Sequence, residues 1–165
     1  MAKQLIVIRH AKSDWANALL RDFDRPLNKR GMRAAPEMAA RLVNRGIQPD
    51  LLVSSPAKRA ITTARYFAEA WEIPLQNIQE QPNIYEASAK TLLSIVSQFD
   101  NQYHQIALFG HNPGLTDLVN MLDGHIDNLP TCGIIKIDFD FNDWQMISSG
   151  TGKVALFDYP KNGDD

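Results

Sequence analysis

A single cysteine, Cys132, is present in the 165 residues of this chain. One thiol cannot close an intramolecular disulfide and is no framework for zinc, so neither device organises the fold. No stretch of about 20 apolar residues exists, so no membrane-spanning helix is expected. Charge of one sign is also scarce: 17 basic and 19 acidic side chains leave a net charge of −2. That balance gives no global attraction to nucleic acid or to an anionic membrane, and any anion site must be local. The opening residues lack a signal-peptide pattern, because the apolar run Leu5–Ile8 stops at Arg9 and His10. A cytoplasmic protein is the expectation. No repeat, low-complexity tract or linker divides the sequence. A hydrophobic share of 44% is ordinary for one packed core. One domain over residues 1–165 is expected, with a polar tail from about residue 160.

What is present is an alternation of short apolar runs with helical periodicity. Leu5–Ile8 reads as a buried strand. After a polar loop, Asn28 suits a helix N-cap. Met32, Ala35, Met38, Ala39, Leu42 and Val43 then recur at helical spacing up to Gly46, with Pro36 as a possible kink. Leu51–Val53 is a second strand, and Pro56 suits the first turn of a helix running to about Trp71. Thr91–Phe99 reads as a third helix, Ile106–Phe109 as a strand ending at Gly110, and Asn112–Leu122 as a fourth helix. Ile134–Phe141 and Trp144–Ile147 read as a hairpin around Asn142 and Asp143. This order predicts an α/β fold, with a mostly parallel sheet and helices on both faces.

Three of the strands end in residues suited to a phosphate. The first ends in Arg9-His10. The second ends in Ser54-Ser55, with Arg59 one turn into the next helix. The strand Ile106–Phe109 ends in Gly110-His111. In a parallel sheet these ends share the edge where ligands bind. Arginine offers a planar fork of donors that fits phosphate oxygens and stays charged. Histidine adds a nucleophile or a donor. Backbone N–H groups at the start of the helix after His111 could bind an anion as well. Each residue alone has a bland alternative, a loop histidine or a solvated arginine; the joint placement points to phosphoryl chemistry.

At these residues the chain resembles the histidine phosphatase superfamily, the phosphoglycerate-mutase-like proteins. Arg9-His10-Ala11 is similar to the family's Arg-His-Gly hallmark. Ser54–Ala64 resembles its second block, with Arg59 the second arginine, and Phe109-Gly110-His111 the third. Asp24–Gly31 resembles the usual approach to the first long helix. Only about 50 residues separate Arg59 from His111, which resembles the compact SixA type, small phosphatases acting on phosphohistidine in proteins. The resemblance implies a three-layer α/β/α sandwich around a mixed sheet. It implies His10 as the nucleophile, with Arg9, Arg59 and His111 binding the phosphoryl oxygens, and neither metal nor cofactor. Glu86 is the nearest candidate for a general acid, with a solvated loop glutamate as the alternative.

Two positions depart from the pattern. Ala11 stands in place of the hallmark glycine, which implies a backbone conformation open to other residues. Ala16 stands where larger members carry a phosphate-touching asparagine, for which Ser13 or Asn17 could compensate. Trp15 and Tyr85 are candidates for the mouth of the site, with packing as the alternative. Ser149–Lys153 lacks the flanking residues of a phosphate loop and reads as a turn. Cys132 lacks the arginine six positions later that a cysteine phosphatase needs; Asp138 is there. The expected substrate is a phosphohistidine-bearing protein or a small phosphorylated molecule, and the expected state a monomer. Phosphohistidine hydrolysis is the leading reading, small phosphoesters the second. A phosphate-binding adaptor without turnover is the alternative from another class.

Overall fold

The computed structural model describes residues 2–124 and 126–160, so the polar tail beyond residue 160 lies outside the described residues. Six strands form one sheet in the order β3-β2-β4-β1-β5-β6. They are β1 (Gln4–Arg9), β2 (Leu51–Ser54), β3 (Gln79–Glu80), β4 (Gln105–Gly110), β5 (Ile134–Phe139) and β6 (Gly152–Asp158). β1, β2, β3 and β4 pair in parallel, while β5 runs against both β1 and β6. The sheet is therefore mixed and mostly parallel.

Strand periodicity divides the apolar residues between two cores, because successive side chains point to opposite faces. Leu5, Val7, Leu51, Val53, Ile106 and Leu108 face α3 (Ala89–Ser97) and α4 (Gly114–Asp123). Ile6, Ile8, Leu52, Ala107 and Phe109 face α1 (Lys29–Asn44) and α2 (Lys58–Ala70). The result is a three-layer α/β/α sandwich whose central strands are apolar on both faces, as parallel strands covered by helices must be.

Helix limits follow local chemistry. Asn28 caps α1, its side chain accepting the Gly31 N–H at 2.9 Å. Gly31 is required by close approach: a Cβ there would collide with the Lys12 carbonyl oxygen. α1 runs unbroken through Pro36. α2 begins at Lys58, two residues later than Pro56 suggests, because Ser55 Oγ engages the Ala57 N–H at 3.2 Å and holds the strand-to-helix turn.

The expected hairpin partner of β5 is wrong. Trp144–Met146 is a short 3₁₀ turn, and β5 pairs with β6, whose residues alternate between half-buried and exposed. Trp144 is fully buried and donates its indole N–H to the Tyr103 carbonyl at 2.9 Å. Its apolar character reflects one plug at the end of the core rather than a strand face.

Candidate active site

Sheet topology brings the three strand ends together. β4 lies between β2 and β1 and is parallel to both, with Arg9 opposite Gly110 and Ser54 opposite Phe109. His10, Ser55 and His111 each follow their strand by one position, so they meet at one edge. The His10 and His111 rings lie 5.3 Å apart, centroid to centroid. The His10 N–H donates to the Gly110 carbonyl at 3.1 Å, and the Ser55 N–H to the Phe109 carbonyl at 3.0 Å. The ladder hydrogen bonds thus continue past the strands and fix the site residues' backbone.

His10 is 7% exposed. Its Nδ1 lies 2.7 Å from the Ala11 carbonyl oxygen. A carbonyl only accepts, so Nδ1 carries the proton and Nε2 keeps its lone pair. Burial, aided by the positive charges of Arg59 and Arg9 and by His111, pushes the His10 pKa down to about 3, against the opposing pull of the Ala11 hydrogen bond. The imidazole is neutral at pH 7. Ala11 itself is fully buried and has no left-handed φ, which is why alanine is accommodated at this position. Its N–H donates to Thr63 Oγ1 at 2.9 Å, and that hydroxyl donates to the Arg59 carbonyl at 2.8 Å. One hydroxyl therefore couples the His10 loop to the helix turn bearing Arg59.

His111 Nε2 lies 2.8 Å from Ser55 Oγ. Ser55 Oγ already accepts from Ala57, leaving its own proton for Nε2; in that arrangement His111 Nδ1 carries the ring proton. Burial, then the Arg59 charge, lowers the His111 pKa to about 4. Arg59 is 6% exposed, and its two terminal nitrogens donate to the Asp22 carbonyl oxygen at 2.7 Å and to the Asp22 carboxylate at 3.0 Å. Arg59 Nε and His111 Nδ1 are both buried and bond to no protein atom. Buried donors without an acceptor are costly, so two of them on residues of this edge suit an incoming anion. Arg9 sits half-buried at the same edge, with one terminal nitrogen on the Leu129 carbonyl at 3.0 Å.

A cavity of about 500 Å³ opens beside this edge, lined in part by Asp22, Arg59, Tyr85, Glu86, His111 and Asp117. Glu86 is exposed and has φ of 60°, the left-handed region that disfavours side chains other than glycine and asparagine. The Tyr85 ring meets His111 edge-on at 5.5 Å. Its hydroxyl donates to the Asp22 carboxylate at 2.7 Å. Partial burial and that carboxylate push the Tyr85 pKa up to about 12; the Tyr85 hydrogen bond, followed by those from Arg59 and Arg25, brings Asp22 down to about 2.

Arg9, His10, Arg59 and His111 are thus brought to one edge, and Glu86 to the adjoining cavity. Ser13 is placed differently. It is buried and its hydroxyl accepts from Arg25 at 2.7 Å, so it supports Arg25 and keeps its own proton to donate. Trp15 is 75% exposed and stacks on the Arg25 guanidinium at 3.4 Å. Sequence reasoning missed Asp22, the acceptor that joins Arg25, Arg59 and Tyr85. Its position in a polar loop 37 residues before Arg59 carries no local signal.

Residues 5–112 match the family model of the histidine phosphatase superfamily (branch 1). The chain belongs to that superfamily. The chain is also similar, over 94% of its length and 76% of the relative, to an uncharacterized chloroplastic protein of Arabidopsis thaliana at 31% identity. Among solved structures it is similar to a chain from Agrobacterium tumefaciens designated phosphohistidine phosphatase SixA. That pair has a TM-score of 0.82 and 27% identity, covering 97% of this chain and 99% of the other. The fold is shared with the protein histidine phosphatase SixA complexed with tungstate, at a TM-score of 0.79 and 19% identity, over 94% and 96% of the two chains. It is shared as well with a mycobacterial glucosyl-3-phosphoglycerate phosphatase, at a TM-score of 0.68 and 16% identity, over 94% and 98%. No helix among the described residues of this histidine phosphatase is long and apolar enough to cross a membrane.

Proposed function

We propose that this histidine phosphatase hydrolyses phosphohistidine in proteins, by way of a phosphohistidine formed on its own His10. The observation that carries the reading is the His10 tautomer: with Nδ1–H held by the Ala11 carbonyl, Nε2 is an unprotonated nucleophile in a buried, cation-lined edge. In the first step the Nε2 lone pair attacks phosphorus. The bond from phosphorus to the substrate imidazole breaks, its electron pair stays on that nitrogen, and a ring protonated on its distal nitrogen departs as neutral imidazole. In the second step water attacks the phosphoryl group on His10. The electron pair returns to Nε2, and both water protons leave with the product as dihydrogen phosphate.

Arg9, Arg59 and His111 would bind the equatorial oxygens. Phosphoryl transfer involves little covalent chemistry beyond these two displacements, so placed charge and donors supply most of the catalysis. Arg59 Nε and His111 Nδ1 gain the acceptor that the protein itself does not provide. Similarity to the Agrobacterium tumefaciens chain designated phosphohistidine phosphatase SixA supports a phosphohistidine substrate.

A second reading is hydrolysis of small phosphoesters. It is favoured by Glu86, which lines the cavity beside Arg59 and His111 where it could protonate an alkoxide. Incubation with radiolabelled phosphohistidine protein should leave an acid-labile, base-stable label on the enzyme, absent in His10→Ala. No label on the wild type, or full turnover by His10→Ala, would overturn the reading. A panel of phosphohistidine protein and simple phosphoesters ranks the two substrates.

A further inference from the structure

The cavity next to the phosphate edge has the opposite electrostatic character. Asp22, Glu86 and Asp117 line it, and Arg59 is its one Lys or Arg among the described residues. Asp22 is already matched by Arg59, Arg25 and Tyr85. Glu86 and Asp117 are exposed, on two segments packed together: a Cβ on Gly114, one turn before Asp117 in α4, would collide with the Ala87 carbonyl oxygen. The two side chains line one cavity. Tyr85 presents an aromatic ring to the same space, edge-on to His111. The cavity shares two residues with the phosphate edge, Arg59 and His111, each more than nine-tenths buried and each with an unpartnered nitrogen.

We infer that this acidic, aromatic wall selects the leaving group by charge, with Asp117 as a specificity-determining residue that favours cationic or protonated leaving groups over anionic ones. The inference rests on the proposed phosphatase site. Phosphoramidates are the substrate class it fits best. A phosphohistidine ring with its distal nitrogen protonated carries positive charge until the P–N bond breaks. Carboxylates lining the cavity would attract that form of the substrate and its basic neighbours. The same wall repels a leaving group that bears its own carboxylate, such as a phosphorylated hydroxy acid. Asp117 also lies in the first turn of α4, where an acidic side chain favours the helix dipole. That role alone predicts lost stability with unchanged selectivity.

The test compares three alkyl phosphates that differ in leaving-group charge: phosphocholine, glycerol 3-phosphate and 3-phosphoglycerate. At low salt, kcat/KM for the cationic ester should exceed that for the anionic one by about tenfold, the scale expected for partly screened unit charges. At high salt the ratio should shrink toward one. Asp117→Lys should invert the ratio while changing kcat/KM for the neutral ester by less than about twofold, and Asp117→Asn should fall between. A ratio near one in the wild type, or one unmoved by Asp117→Lys, overturns the inference and leaves the phosphatase reading intact. If none of the three turns over, dissociation constants for the same esters on His10→Ala protein decide the matter. A cationic preference there that Asp117→Lys inverts sustains the selectivity, and equal binding ends it. The phosphatase reading itself stands or falls on the His10 label.

Discussion

The two halves of the site are built in opposite ways. The phosphate half is buried, cationic and carried on the ends of regular strands or the first turn of a helix: His10 after β1, Ser55 after β2, His111 after β4, Arg59 in α2. The half facing the leaving group is exposed, acidic and carried largely on irregular backbone: Asp22 in a 3₁₀ turn, Glu86 in a left-handed conformation. On the proposed reading, chemistry common to all phosphoryl transfers is fixed by the sheet. What varies between substrates is left to loops, where changes do not disturb the core.

If that division is right, damage to the buried half is catastrophic. His10→Ala should lower kcat by about a thousandfold or more with phosphohistidine substrate, as loss of a covalent nucleophile does elsewhere. The measurement is single-turnover phosphate release, and a loss below tenfold would break the assignment of His10. Arg59→Lys comes next, at about a hundredfold in kcat/KM. A lysine keeps the charge but loses the fork that meets Asp22 with two nitrogens while leaving Nε for substrate. Equal activity in Arg59→Lys would mean that only net charge matters at this edge.

The same division explains what could be read from the sequence. Leu5–Ile8, Leu51–Val53 and Ile106–Phe109 are continuous apolar runs, and the polar residues that end them had to lie at a parallel sheet's edge. Four phosphate-edge residues followed directly. Asp22 did not, because its meaning lies in contacts with Arg59 and Tyr85, 37 and 63 residues away. Glu86 was legible as a nearby carboxylate, but its left-handed backbone was not, since glutamate gives no such signal. Nor was the support that Ser13 gives legible: its hydroxyl accepts from Arg25, twelve residues away. Trp144 misled for a related reason, since one buried indole and a short strand share the same apolar signature.

Protonation sharpens the contrast between the halves. The His10 pKa is lowered to about 3 and that of His111 to about 4, both from 6.5 and both chiefly by burial. The unfolded chain therefore takes up protons on these rings as pH falls below 6.5, while the native state resists until it reaches their folded values. The stability they contribute is present above 6.5 and is lost progressively as pH falls through that window. Urea unfolding at pH 7 and at pH 5 should show a loss in the wild type that is smaller in His10→Ala. An identical pH dependence in the two proteins would mean His10 titrates normally. In activity, the acid limb of kcat/KM, corrected for substrate ionisation, should lie well below pH 6.5, since Nε2 stays unprotonated there.

The substitution expected to matter least with phosphohistidine is also the one that separates substrates. Glu86→Gln removes a carboxyl group from the exposed half and leaves its backbone conformation and the buried half in place. An alkoxide is a poor leaving group and needs a proton in the transition state, whereas an imidazole already protonated on its distal nitrogen does not. Glu86→Gln should therefore lower kcat for an alkyl phosphate by about a hundredfold while changing kcat for phosphohistidine by less than about threefold. Salt and charge would affect both substrates through binding, so the decisive quantity is kcat and not KM. Equal losses on the two substrates would make Glu86 part of the common machinery and erase the boundary between the halves. No loss on either would leave Glu86 a solvated loop residue, and the cause of its left-handed backbone would have to be sought in the Tyr85–Ala87 turn alone.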